Sequence, residues 1–299
     1  MLIWFPITVL SYLALALSQV LDKVFLTRFV RESRAYGAII GLMGIVVLFA
    51  LPWTQSFSSL ALWVLALVSG GLFVLALLPF MAALQGDEAS RVITATGALV
   101  PLLTVLLEAV FLGTRLSGTA YVGIALLVVG SVVLTSSRSH APRRSYRSMG
   151  LALFSAAIFA LSFVLTKHVY EHADFLTAFV WMRVGGVIAG AAIVLAVRPV
   201  QTELYRLFTQ AKPALWAAYL ANQAVAAVGF VLQSWAVALT SVGIITAMQG
   251  TQYVFVLLFV VLFSRLKPEM LTERITKAVI LEKMTATVCI IVGLALLAL

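Results

Sequence analysis

Residues 11–23 recur 144 positions further along the chain, and this recurrence constrains the fold more than any other feature. Ser11, Ala16, Leu17, Ser18, Val20, Leu21 and Lys23 are matched by Ser155, Ala160, Leu161, Ser162, Val164, Leu165 and Lys167. Gly41 and Gly185 keep that offset, and later Thr94 and Ala95 pair with Thr246 and Ala247 at an offset of 152. The chain therefore reads as two divergent copies of one unit of roughly 140 residues.

Composition decides the solvent in which such a duplicated unit folds. Charged residues make up 10% and apolar residues 63% of the chain, and the mean hydropathy is +1.12. A water-soluble domain carries about 25% charged residues, so this chain has too little polar surface to face water and is built for lipid. The single cysteine, Cys289, excludes a disulfide framework and a cysteine-based zinc site. The net charge of +9 fits the gathering of Lys and Arg in cytoplasmic loops, and nucleic acid is not an expected partner. The opening Met1-Leu2-Ile3-Trp4 has neither a basic start nor a small-residue cleavage site, so no removable leader is expected.

About 20 apolar residues are needed to cross a bilayer as helix. Runs that meet or approach this length lie at 3–21, 36–52, 60–84, 92–112 and 118–135 in the first copy. In the second they lie at 149–165, 175–197, 214–239, 244–263 and 278–299. None shows the period-two alternation of a barrel strand. The last is the least regular, since Glu282 and Lys283 fall in its first turns. The expected fold is an all-α integral membrane protein of ten transmembrane helices, with repeats at 1–135 and 149–299 joined by a polar, basic linker at 136–148.

Charge orients the spans. Of the 20 basic residues, 17 fall in the odd-numbered connections, which the positive-inside rule places in the cytoplasm with both termini outside. Equivalent connections in the two copies carry 4 against 1, 0 against 3, 1 against 0 and 1 against 5 basic residues. Every pair reverses its bias, as expected of a 5+5 inverted repeat. Such repeats carry a site near the bilayer midplane and expose it alternately to the two sides.

Several local runs add a family likeness. They are Ser162-x-Val164-Leu165-x-Lys167 closing the sixth span, Trp181-Met182-Arg183 in the seventh, and the run from Pro101 to Phe111-Leu112-Gly113-x-Arg115-Leu116-Ser117. On these the chain resembles the drug/metabolite transporter superfamily, in its EamA-like branch of ten-span bacterial permeases, over nearly its whole length. It departs from that family in reading Gly113-Thr114-Arg115-Leu116 where Gly-Glu-Arg-Leu is usual, and in a long charged stretch at 267–283. The resemblance implies a bacterial plasma membrane location and an export direction.

Polar groups within spans usually face a bundle interior or a cavity. Thr94, Gly97, Pro101, Thr104 and Glu108 share one face of the fourth span; Thr246, Gln249 and Tyr253, with Gln252 beside them, share one of the ninth. The eighth carries Asn222, Ala226, Gly229 and Gln233 along a stripe, with Gln223 and Trp235 nearby. Ser11, Ser18 and Asp22 in the first span answer Ser155, Ser162 and Thr166 in the sixth. The expected cavity is lined by spans one to four and six to nine, with five and ten peripheral.

Gly37-x-x-x-Gly41 and Gly186-x-x-x-Gly190 read as close-packing motifs. Arg183 is the one deep cation, about 12 Å from the outer end of its span at about 1.5 Å per residue. Glu108 lies at comparable depth, so Arg183 either pairs with it or binds a substrate carboxylate or phosphate while Glu108 carries a coupling proton. The run Lys167-His168-x-x-Glu171-His172-x-Asp174 reads as a hydrated loop, not a metal site. Asp22 and Lys23 read as interfacial, and 268–283 as an amphipathic interfacial helix.

No hydrolase, metalloprotease or nucleotide-binding motif occurs, and no cofactor is expected. The expected function is secondary active transport, with export of small organic metabolites such as amino acids or related anionic or zwitterionic compounds. Substrate contacts are assigned to Arg183, Asn222, Gln223, Gln233, Trp235, Gln249, Gln252, Tyr253, Trp181 and Thr104, and coupling or gating to Glu108 and Lys167. The partners are a small-molecule substrate and the lipid bilayer, with proton coupling and a homodimer left open. A lipid or lipid-linked carrier flippase and an integral membrane enzyme stand as alternatives.

Overall fold

The computed structural model describes residues 3–86, 89–135, 146–210 and 212–266, with 285, 288–293 and 296 in the last segment. Its elements are α1 (Trp4–Arg28), α2 (Ser33–Met43) continued by a 3-10 helix (Gly44–Trp53), α3 (Leu60–Gly86), α4 (Ala89–Phe111) and α5 (Gly118–Thr135). After the linker come α6 (Tyr146–His172), α7 (Phe175–Ala196), α8 (Arg198–Gln210), α9 (Pro213–Leu239), α10 (Val242–Ala247) and α11 (Gln249–Leu266).

Six helices are long and apolar enough to cross a membrane: Trp4–Leu26, Ser33–Trp53, Leu60–Gln85, Tyr146–His172, Phe175–Ala196 and Pro213–Leu239. Ala95–Phe111 and Gly118–Gly130 are shorter apolar helices. Their outer faces leave Phe49, Val110 and Leu195 between 68% and 81% exposed. Each such side chain left in water forgoes about 1.5–3 kcal/mol of burial, so this surface suits acyl chains. The protein is an all-α, multi-pass membrane protein.

Caps and breakers set the helix ends. Asp174 accepts the Thr177 N–H at 3.0 Å to start α7, and Pro213 at its first turn starts α9. Gly113, at φ 67°, terminates α4 in the left-handed region that favours glycine.

Four expectations change. The second span is α-helical only to Met43 and tightens into 3-10 geometry before Pro52. The sixth continues to His172, so the histidine run is helix end and not loop: His168 and His172 stack at 4.3 Å. The ninth breaks at Met248 into α10 and α11. The basic connection after α7 folds as α8, whose Val200, Leu204 and Leu207 are buried while Tyr205 and Phe208 stay exposed. The proposed interfacial helix at 268–283 lies outside the described residues, as does most of the tenth span.

The core is held by close helix crossings. α3 packs along α6 and α7, α1 along α9 and α11, α4 along α6, and α2 along α7. The two Gly-x-x-x-Gly motifs meet where α2 crosses α7. A Cβ built on Gly41 would stand 3.0 Å from the Gly186 carbonyl oxygen, and one on Gly190 3.0 Å from that of Ala38. At the α3–α7 crossing Gly185 lies against the Leu67 backbone and Gly70 against that of Met182, leaving no room for any side chain.

At one end of the bundle α8 clamps the turn between α1 and α2. The Arg206 guanidinium donates to both Glu203 carboxylate oxygens at 2.6 and 2.9 Å and to the Phe29 carbonyl at 2.6 Å. The Arg31 N–H donates to Glu203 at 2.7 Å. The Arg206 hydrogen bonds, helped by Arg31, hold Glu203 below the usual carboxylate range despite its burial. A depressed carboxylate stabilises the fold above its unfolded value, and that contribution fades as pH falls through the folded one. Glu203→Gln is therefore expected to cost about 2 kcal/mol at neutral pH. Wild-type melting temperature should fall on acidification below about pH 4, and the variant's should fall less. Thermal unfolding in detergent across pH checks both.

Candidate functional site

One cavity penetrates the bundle, with about 630 Å³ of empty space including its open mouth. Five helices supply its walls: α2 with Gly41, α3 with Ser69 and Phe73, α6 with Ser162 and Thr166, α7 with Arg183, and α9 with Gln233 and Ser234. Close packing explains its position. Gly41, Gly70 and Gly186 bring α2, α3 and α7 together on one side, while Phe73, Phe163 and Phe230 hold the walls apart. The Phe73 ring lies 5.3 Å from Phe230 and 6.2 Å from Phe163.

Arg183 is the only charged residue in this lining. Its guanidinium carbon sits 3.5 Å from the centre of the Phe230 ring and 5.5 Å from that of Phe179. No hydrogen bond or ion pair to another described residue engages the guanidinium. Aromatic faces offset part of the charge but accept none of its five N–H donors. The cavity thus places a half-buried guanidinium beside aromatic walls and neutral hydroxyls. A carboxylate or phosphate would satisfy those donors bidentately.

Glu108 is not its partner. This carboxylate, 1% exposed, accepts from the Ser241 hydroxyl at 2.8 Å, the Val242 N–H at 3.2 Å and the Gly243 N–H at 2.8 Å. Ser241 Oγ also accepts the Ile244 N–H at 3.3 Å. Glu108 therefore caps the first turn of α10, where free N–H groups and the positive helix end attract an anion. Rotation about the helix axis points Glu108 toward α10 and away from Arg183.

Two further stripes face mainly other helices. On α4, Thr104 bonds its own helix at the Val100 carbonyl, 2.7 Å away, and Gly97 admits the Tyr253 hydroxyl of α11. The Thr94 side chain lies outside the described residues. On α9, Gly229 admits Leu15 of α1, Asn222 donates to Asp22 at 2.6 Å, and Gln233 donates to the Tyr12 hydroxyl at 3.2 Å. Only Gln233 of that stripe also lines the cavity.

The remaining candidates disperse. Gln252 donates to Gln19 at 3.1 Å, joining α11 to α1, and Gln249 is half-buried at the start of α11. Trp235 is 43% exposed on the outer face of α9. Trp181 packs edge-on against Trp63 at 5.3 Å. Lys167, 8% exposed, donates to the Val237 carbonyl at 3.3 Å and pairs with Glu171 at 3.6 Å, tying α6 to α9. Gln223 sits on α9 one residue beyond Asn222, half-buried. Of the lines drawn from sequence, Arg183, Gln233, Ser162 and Thr166 reach the cavity; spans one, four and nine do not line it.

Asp22, expected at the interface, lies four residues before the end of the first span and is half-buried. It accepts from the Tyr36 hydroxyl of α2 and from Asn222 of α9, residues only 1% and 2% exposed. Among the lining residues that sequence did not single out are Ser69, Phe73, Tyr170, Phe179, Phe230 and Ser234. The run Ser69-Gly70-Gly71 in mid-span was the available signal, since three small residues there mark a close backbone approach.

A solved crystal structure, described only as that of a protein, superposes on 98% of this chain and 95% of its own length, with a TM-score of 0.68 and 17% identity. At that identity the likeness concerns the fold alone. No family model and no curated protein matches the chain.

Proposed function

We propose that this protein is a secondary active transporter that moves small organic anions or zwitterions, amino acids among them, out of a bacterial cell by alternating access. The observation that supports this best is Arg183, a guanidinium with no anionic partner among the described residues, on the wall of an aromatic-lined cavity within the helix bundle. A structural arginine at such depth needs a protein anion; one that lacks it is available to a ligand. Ser69, Ser162, Thr166 and Gln233 offer neutral hydrogen bonds beside it, and the phenylalanines accept an apolar body.

The packing of the first four spans of each copy supports the reading of a 5+5 inverted repeat. With the spans numbered in order, α3 lies on α6 as α9 lies on α1, and α4 lies on α6 as α11 lies on α1. The equivalents α2 and α7 cross each other. One correspondence is unequal. α3 meets α7 backbone to backbone at Gly70 and Gly185, whereas α9 and α2 meet through side chains such as Tyr36 and Tyr219, whose rings are 5.8 Å apart. Inequality of that kind is expected of one end state of a rocking cycle. The export direction, the plasma membrane location and the EamA-like membership rest on the sequence resemblance alone.

Expression in a bacterial host, followed by metabolite profiling of medium against cells, tests the proposal. Carboxylate- or phosphate-bearing compounds should accumulate in the medium, and purified protein in liposomes should exchange the same compounds. A profile identical to that of cells lacking the protein, with the protein correctly inserted, overturns it.

A further inference from the structure

Asp22 is a carboxylate inside the membrane-spanning bundle that the cavity does not use. Tyr36 and Asn222 converge on its Oδ1, from α2 and from α9, the latter 200 residues away in sequence. Tyr219 of α9 faces the same group and stacks edge-on against Tyr36 at 5.8 Å. Ser18 lies one turn earlier on α1. From α11, also packed on α1, comes the neutral amide of Gln252, engaged with Gln19.

Arg34 is held by Glu32 at 2.8 Å, and among the described residues no Lys, Arg or His forms an ion pair with Asp22. The side chain of the neighbouring Lys23 lies outside the described residues.

We infer that Asp22 is a proton-binding latch between the two repeats, and that its protonation state sets whether α2 and α9 are held together. This rests on the transport reading above and supplies its coupling ion. Here α2 and α9 are joined through side chains without close backbone packing. A proton from water adds to Oδ2, since both named donors occupy Oδ1, and removes the negative charge. The neutral carboxyl suits contact with Tyr36 and Asn222, both buried. Loss of the proton to water leaves a half-buried anion whose donors among the described residues are all neutral, which favours separation of α2 from α9 and entry of water. Protonation closes the latch and deprotonation opens it.

The latch can be read without knowing the substrate. In a Cys289→Ser background in nanodiscs, Ile39→Cys reports on the groove beyond the cluster, where Ile39 is 6% exposed. Its rate with a charged maleimide is divided by that of Thr202→Cys on the exposed face of α8, which cancels the reagent's own pH dependence. From about pH 5 to about pH 8 the ratio should rise roughly fivefold or more with Asp22 present. Asp22→Asn should hold it low at every pH, and Asp22→Glu should restore the rise with a displaced midpoint. Tyr36→Phe removes a donor to the anion and should move the midpoint to higher pH, which keeps the test open if Asp22→Asn fails to fold.

An undiminished rise in folded Asp22→Asn overturns the inference. So does a flat ratio with Asp22 intact, or a ratio that follows sodium at fixed pH. A rise that needs Asp22 in a protein that exports nothing keeps the latch and rejects the transport reading. Export with a flat ratio keeps transport and rejects the latch.

Discussion

Arg183→Ala is expected to lower transport by roughly a hundredfold or more while the protein still inserts and melts within about 1 kcal/mol of wild type. The two halves of this result follow from one fact. The guanidinium has no anionic partner among the described residues, so its removal strands no buried charge and costs the fold only a contact with Phe230. A ligand carboxylate or phosphate loses its counter-charge in the cavity, and truncating one member of such a pair costs about 2–5 kcal/mol. Arg183→Lys should recover part of the activity, because an ammonium restores the charge without the planar fork. Uptake into liposomes, with melting curves on the same preparations, separates the outcomes. Wild-type rates in Arg183→Ala would make the residue a bystander and remove the reason for an anionic cargo. A variant that no longer folds would give Arg183 a structural role instead.

Glu108 is expected to behave in the opposite way. Glu108→Ala should destabilise the protein by about 3 kcal/mol or more, because it leaves the Val242 and Gly243 N–H groups and the Ser241 hydroxyl buried without their acceptor. Glu108→Gln should fall between, since one amide oxygen can accept but the NH₂ group opposes an N–H of the α10 turn. Transport per folded molecule should survive in the glutamine variant, with its pH profile unchanged. Loss of pH dependence in a fully stable Glu108→Gln protein would return the coupling role to this residue and take it from Asp22.

The contrast between these two residues shows where sequence reasoning reached and where it stopped. Both were recognised as costly groups at similar depth, and depth is a count of residues along a span. Their partnership was not legible, because partnership depends on rotation about each helix axis and on which helix lies alongside. Glu108 turns toward α10, a six-residue helix whose existence depends on the break at Met248. The polar stripe on α9 was real, yet Asn222, Gly229 and Gln233 all meet α1. A stripe marks a face that avoids lipid, and a neighbouring helix satisfies it as well as a cavity does. The basic turn after α7 hid a helix for a related reason. Amphipathic α8 is too polar to read as a span, and its apolar face has meaning only against α2 and α7.

By itself the sequence determined the solvent, the helical class and the places where helices cross most closely. Those follow from composition, run length and small-residue spacing, which are properties of a segment alone. Gly41 and Gly190, singled out by spacing, do stand at the α2–α7 crossing. Only the tertiary structure decided which polar groups share a space. Bringing Arg183 beside Phe230, and Asp22 beside Asn222, needs residues 47 and 200 positions apart to be placed by the packing of the whole bundle. In lipid every unsatisfied polar group seeks the nearest donor or acceptor, and nearness is fixed by helix rotation and crossing angle, neither of which is written in any single segment.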